Sequence, residues 1–313
     1  MSTDHLGIMA LGFALAWDLI FGEMPNRFHP VVWMGRLSAF FEKRLYRAEA
    51  QSHPSQLWAG GLHVLIMLGA VGVCLYILGQ IQPLWLQFAL AVFLLQSSFS
   101  LKELGLAARR VQTALTSGNL SSARYHMRSL CSRNPASLGE ADMVEATCSS
   151  LAENIADSVV APLFYYFLFG LPGAVLFRLV NTLDARIGYR GKYESFGRAS
   201  ARLDDFLGLV PARLTAAMIL IAGGISFYPW VSGMRVLRRD RRKTPSPNGG
   251  WPMSALAGLL DMKLEKPGVY SLGDAKVSPT PVMISDAWRL VAMSALCFVG
   301  LGLTCWILVM MRP

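Results

Sequence analysis

The sequence predicts an all-α, polytopic integral membrane protein with about four to six membrane helices, and three observations carry that expectation. The first is composition. Of the 313 residues, 53% are hydrophobic and 16% charged, where a soluble domain carries about a quarter charged. The second is distribution: Ala50–Leu101, Leu214–Met234 and Leu290–Met311 contain no Asp, Glu, Lys or Arg, and a bilayer-spanning helix needs about 20 mainly apolar residues. The third is the lack of any strand-like alternation of apolar and polar residues.

Taken in order, the chain opens with "MSTDHLGIMALGFALAWDLIFG". Its apolar stretch is short, and Asp4 stands where a signal peptide would carry Lys or Arg. Residues 6–22 therefore read as a first membrane helix, spanning or buried. Residues 57–79 and 83–101 form a helical hairpin about "QIQP". Residues 102–150 read as polar helix, with apolar positions three and four apart in "LKELGLAARRVQTAL". After Pro135 a long helix turns apolar partway, with Ser137 and Glu140 at capping-box spacing. "FGLPGA", 169–174, breaks it, and a second helix runs to about Gly188. An apolar helix is predicted near 211–234. A polar segment over 235–287 holds the turn-rich "SPNGGWP", and a last membrane helix covers 289–311. There is no internal repeat, and residues 1–313 read as one membrane domain.

Topology leaves two readings. Lys and Arg favour the cytoplasmic side, and loops 23–56, 102–133 and 235–276 are rich in both. Six spans would place these loops inside and residues 181–208, with five Arg or Lys, outside. The alternative makes 155–180 a re-entrant hairpin broken at Gly170–Gly173, or buries it among other helices; irregular backbone is allowed where it lines a cavity. The six-span model leaves five basic residues outside, and any cytoplasmic chemistry in 181–208 favours the second.

The net charge is +9, much of it from "RVLRRDRRK", 235–243. Such a run beside a membrane helix fixes topology and touches anionic lipid; attraction of anionic substrates is the competing reading. It has no interleaved aromatics and no recognisable module around it, which argues against nucleic acid as a partner. The five cysteines show no CxxC or Cys/His metal spacing and read as reduced, structural thiols.

The residues suited to chemistry gather in the polar stretches. Glu153 and Asp157 are four apart on one helix face, where like charges destabilise. Asp157 stands at the mouth of the uncharged run Ser158–Phe177. A divalent cation between the two would remove both costs; a solvated helix end near Arg124 or Arg128 is the competing reading. Asn181 and Asp184 share a face, as do Arg202 and Asp205, with Asp204 alongside. Two helices that each present a carboxylate can clamp Mg²⁺ and a phosphate, or simply form salt bridges. Tyr189, Tyr193 and Phe196 are spaced as one aromatic face, for packing or for a flat ligand. His29 precedes Pro30 and so sits in an extended turn. The glycines of "SPNGGWP" permit close approach of backbone to a ligand, but the segment lacks a P-loop pattern.

Four segments together resemble the CobD/CbiB family, the adenosylcobinamide-phosphate synthases of cobalamin biosynthesis. They are "HPVVWMGRL" (29–37), "SLAENIADSVVAPLFYYFLFGLPGAVLFRLVNTLDARIGYR" (150–190), "FGRASARLDDFLGLVPARLTA" (196–216) and "SPNGGWPMSALAGLLDMKL" (246–264). The resemblance implies an amide-forming ligase at the cell inner membrane, multi-pass, with its active site facing the cytoplasm. Its substrates would be adenosylcobyric acid and an amino-alcohol phosphate such as aminopropanol phosphate. ATP and Mg²⁺ would be required, with the bilayer and other corrinoid-pathway enzymes as partners. The match carries motif positions over without their individual roles. The expected assignment is Asp184, Asp204 and Asp205 as catalytic; His29, Arg133, Asn154, Asn181, Tyr189, Arg202, Ser246, Asn248 and Trp251 as substrate-binding; and Glu153, Asp157 and Asp184 as metal ligands. Many relatives carry Gly-Arg-Asp where this chain has Ser132-Arg133-Asn134, so an acid is replaced by an amide. An AmpE-like membrane sensor and a non-catalytic scaffold for corrin enzymes are the alternatives; "NTLD" and "SPNGGWP" argue against the sensor.

Overall fold

The computed structural model describes residues 3–48, 54–131, 135–189 and 191–311. It is 75% helical, and the protein is an all-α membrane protein. Twelve α-helices are described: α1 (Thr3–Phe21), α2 (Pro30–Leu45), α3 (Pro54–Gly79), α4 (Leu84–Gln96), α5 (Lys102–Thr116), α6 (Leu120–Met127), α7 (Glu140–Ile155), α8 (Ala161–Ile187), α9 (Arg198–Ile225), α10 (Trp230–Asp240), α11 (Gly250–Leu259) and α12 (Val282–Met310). A π-helical turn, Ala156–Val160, joins α7 to α8. Among the described residues, four stretches are long and apolar enough to cross a membrane: α3, Glu140–Ile187, α9 and α12. Helices α1 and α4 are apolar but shorter.

The chain divides into two compact units. One comprises Met1–Ser100, Ala161–Leu207 and Met310–Pro313; the other comprises Leu101–Val160 and Gly208–Val309. In the first, α3 turns Gly60, His63, Val64, Met67 and Val71 inward. These positions are three and four apart, the spacing of one helix face. Val64, Met67 and Val71 pack with Val175, Leu179 and Leu183 of α8. The opposite face of α3 exposes Trp58, Leu65, Tyr76 and Ile77. An apolar outer face opposed to a packed inner one is what a lipid-facing helix requires.

In the second unit, α5 buries Leu104, Ala107, Ala108, Val111 and Leu115, its polar face outward. Gly105 of α5 meets the Trp288 ring of α12 so closely that a Cβ there would stand 2.4 Å from it. Gln112 and Ser285 link the same two helices by a 2.6 Å hydrogen bond. Buried Asp240, at the end of α10, receives Arg239 at 2.8 Å and Lys243 at 2.6 Å, and accepts from the Gly273 backbone N–H at 2.9 Å.

Several expectations are corrected in detail. The helix expected over 211–234 begins earlier, at Arg198, and ends at Ile225. A turn follows in which Phe227 has φ 60°, and α10 begins after Pro229. Helix α7 is capped at Gly139, whose N–H donates to Asp142 at 3.0 Å, and not by a Ser137–Glu140 box. The last three residues of the loop read as "SPNGGWP" lie inside α11: Gly250, Trp251 and Pro252 are its first turn, where proline's missing N–H costs nothing. Two three-residue strands, β1 (Leu264–Lys266) and β2 (Tyr270–Leu272), pair antiparallel, too short for alternation to reveal. The break expected at Gly170–Gly173 is a kink within α8, where Gly170 alone is non-helical at φ 64°, ψ −155°.

Candidate functional site

In the first unit, the C-terminal turns of α8 and the first turns of α9 bring polar side chains together. Asn181 Nδ2 donates to Asp204 Oδ1 at 3.3 Å, and Asn181 Oδ1 accepts from Arg178 at 3.4 Å. Asp184 is one turn further along α8, close enough to Asp204 and Asp205 for their charges to repel. Gly188 permits this arrangement: a Cβ there would fall 1.9 Å from Asp184 Oδ1. Among the described residues, neither Asp184 nor Asp204 has an ion-pair partner. Two neighbouring carboxylates without a countercharge favour a bound cation.

His29 is buried and caps α2, its Nδ1 accepting from the Val31 N–H at 3.3 Å. Burial pushes its imidazole below the ordinary value; Glu23 opposes the shift and the charge of Arg178 adds to it. Arg178 therefore acts on both His29 and Asn181. Sequence reading missed it, because it closes an uncharged apolar run and passes for a helix edge. Its signal was the i, i+3 spacing to Asn181.

Arg202 is exposed on α9. Tyr189 is 55% exposed, whereas Tyr193 and Phe196 pack on Tyr46 at centroid distances of 4.9 and 5.6 Å. The expected three-ring face is thus corrected: Tyr46, from the end of α2, takes the place given to Tyr189.

In the second unit, Glu153 and Asn154 lie on the last turn of α7 and Asp157 in the π-turn. π-turns recur at functional sites. Glu153 is exposed, and its Oε1 would stand 3.0 Å from a Cβ on Gly249. Asn154 donates to the Leu130 carbonyl at 3.4 Å. Ser246 Oγ accepts from the Asn248 N–H at 3.3 Å, a local turn bond. Asn248 is buried against Gly208. Two guanidinium groups lie over the Trp251 ring, Arg213 at 4.6 Å and Arg241 at 5.2 Å. Arg133 and Asn134 fall outside the described residues.

Of the expected metal ligands, Asp184 belongs to the first unit and Glu153 and Asp157 to the second. No three His, Cys, Asp or Glu side chains are grouped to hold a metal among the described residues. Mg²⁺ does not need such a cage: it commonly takes one or two carboxylates and fills its shell with phosphate oxygens and water. The Asp184–Asp204 pair fits that requirement.

This arrangement of polar helix ends in an apolar helical frame defines a polytopic membrane protein with an acidic site built on paired helices. The chain belongs to the CobD/Cbib protein family, whose model matches residues 11–293. It is 37% identical to the cobalamin biosynthesis protein CobD of Dehalococcoides mccartyi over 302 residues, covering 91% of this chain and 96% of that one. It is 43% identical to the probable cobalamin biosynthesis protein CobD of Thermococcus kodakarensis, covering 82% of each. For the Methanothermobacter thermautotrophicus protein of that name the identity is 36%, covering 93% and 95%. No solved structure gives a significant match.

Proposed function

We propose that this protein works in cobalamin biosynthesis, as an ATP- and Mg²⁺-dependent ligase joining adenosylcobyric acid to aminopropanol phosphate, giving adenosylcobinamide phosphate. The observation that carries the reading is the Asp184–Asp204 pair without an ion-pair partner among the described residues, with Asn181 bonded to Asp204, within the region the family model matches. In the proposed reaction a corrinoid carboxylate oxygen attacks the γ-phosphorus of ATP and ADP leaves. The amine nitrogen then attacks the acyl carbon, phosphate leaves, and the nitrogen gives up a proton to a base. Asp184 and Asp204 would hold Mg²⁺, which supplies neutralisation of phosphate charge and orientation of the phosphoryl group. Asn181 fixes the direction of the Asp204 carboxylate. Arg178 in turn holds the Asn181 amide by its oxygen.

We place the site on the cytoplasmic side of the cell inner membrane, since nucleotide and amino-alcohol phosphate are cytoplasmic. Ser195 lies in the same unit as the site, and thiol labelling of Ser195→Cys in a cysteine-free background checks the side: protection from an impermeant reagent added outside is expected, and labelling by it would overturn the placement. The activity is tested by growth of a synthase-deficient strain on adenosylcobyric acid, with cobinamide as bypass control. A chain that is inserted and abundant yet fails on the acid would remove the enzyme reading and favour a sensor or scaffold role.

A further inference from the structure

Three arginines of the second unit lie close together without acidic partners. Arg213 of α9 and Arg241, just beyond α10, both stack over the Trp251 ring, at 4.6 and 5.2 Å from its centre. The charges of Arg241 and Arg242 both bear on Arg213. Among the described residues, none of the three forms an ion pair. Arg239, two positions before Arg241, holds both Asp240 and Asp274, so acids near this segment are already engaged.

The guanidinium groups are also fixed in place. Arg213 donates to the Leu209 carbonyl at 2.5 Å, and Arg241 to the Arg238 carbonyl. Arg241 Nε is buried and has no hydrogen-bond partner among the described residues. Clustered cations repel one another, and an N–H buried without an acceptor carries its desolvation cost in full. An oxyanion removes both costs, and the planar guanidinium fork matches phosphate oxygens. An unpaired, prepositioned cluster differs from a flexible basic run that only touches headgroups, because its donors are fixed before the ligand arrives.

We propose that Arg213 and Arg241, gathered about the Trp251 ring with the charge of Arg242 nearby, form a binding site for a phosphoryl group of a phosphate ester or anhydride. The phosphate binding stands on this geometry alone; its ligand, ATP or the amino-alcohol phosphate, rests on the ligase reading above. Ser246 and Asn248 then shape the turn that carries Trp251 into position, and the arginines supply the affinity.

The test uses the full-length protein in phosphatidylcholine nanodiscs, which exclude anionic lipid, with calorimetric titration of ATP and, separately, of aminopropanol phosphate. Arg213→Gln and Arg241→Gln are each expected to weaken one of the two ligands by about tenfold or more and to spare the other, and the affected ligand identifies the occupant. Arg241→Lys keeps the charge without the fork and should lose less than Arg241→Gln. Arg110→Gln, in a surface pair with Glu103, is the control and should change neither. Folding is checked by gel filtration and thermal melting, and Arg242→Gln replaces any glutamine variant that fails it. Folded glutamine variants that bind both ligands like wild type overturn the site, as does a wild-type protein that binds neither. Arginine-dependent phosphate binding in a protein that makes no adenosylcobinamide phosphate keeps the site and removes the ligase reading. Product formation with arginine-independent binding removes the site alone.

Discussion

Asn181 and Asp204 belong to successive helices and meet through one hydrogen bond of 3.3 Å from amide nitrogen to carboxylate oxygen. The direction of that amide is set by Arg178, which has only donors to offer and so takes the Asn181 oxygen. Asp204→Asn keeps the shape and removes the charge. Product formation should fall by about a hundredfold or more if the carboxylate stabilises a phosphoryl transition state, with corrinoid binding retained. Steady-state assay of the reconstituted variant beside equilibrium binding separates this from a structural salt-bridge role, in which surviving protein stays active. Asp184→Asn should behave alike.

Gly188→Ala asks whether Asp184 depends on its neighbour. The added Cβ would meet Asp184 Oδ1 at 1.9 Å and its carbonyl at 2.7 Å. Overpacking of this kind costs about 1–3 kcal/mol and must move the carboxylate. Melting temperature and activity should both drop. Gly61→Ala meets nothing within 4 Å and should leave both in place.

Buried His29 gives the fold a defined response to acid. Its imidazole titrates below the ordinary 6.5, held there first by burial, with Glu23 opposing and Arg178 assisting. Below 6.5 the unfolded chain binds a proton that the folded chain resists. This contribution is therefore complete above 6.5 and is lost as pH falls toward the folded value. Asn is a good N-cap, so His29→Asn should keep α2 and flatten the fall of melting temperature between about pH 6.5 and pH 5.

Asp240 responds at lower pH. Burial alone would raise its pKa, but Arg239, Lys243 and the Gly273 N–H outweigh that and hold it at about 2. Against an ordinary 3.8 this is worth about 2 kcal/mol, present above 3.8 and lost as pH falls toward 2. Asp240→Asn should cost about 2 kcal/mol near neutrality, because Lys243 loses its partner and Arg239 keeps only Asp274. The gap in melting temperature between wild type and variant should narrow below pH 3.8.

Long uninterrupted apolar runs made α3 and α12 legible in the sequence, since nothing else accounts for more than 20 such residues in water. The end of α9 was not, because only charged residues were used as boundaries; Tyr228-Pro229 is the breaker, and it lies inside an uncharged run. The β1–β2 ribbon was hidden by its length. The i, i+3 spacing of Asn181 and Asp184 placed both on one face, and the structure sets Asn181 against Asp204. Tyr46 could not be joined to Tyr193 by any local pattern, since the two lie far apart in the chain. Arg213 and Arg241 are separated in the same way, and only folding brings them to one indole ring.

The unequal helix lengths of the first unit have a consequence for the bilayer itself. At 1.5 Å per residue, the 26 residues of α3 reach about 39 Å, and the 13 of α4 about 20 Å, against a hydrocarbon layer of about 30 Å. A surplus is absorbed by tilting, but a deficit is met by drawing the leaflets together around the short segment. Wherever α4 enters the hydrocarbon layer, its neighbourhood is a region of hydrophobic mismatch. Lipids with shorter acyl chains fit it at less elastic cost, and the molecule should partition toward thinner membrane and tolerate thick, sterol-stiffened bilayers poorly.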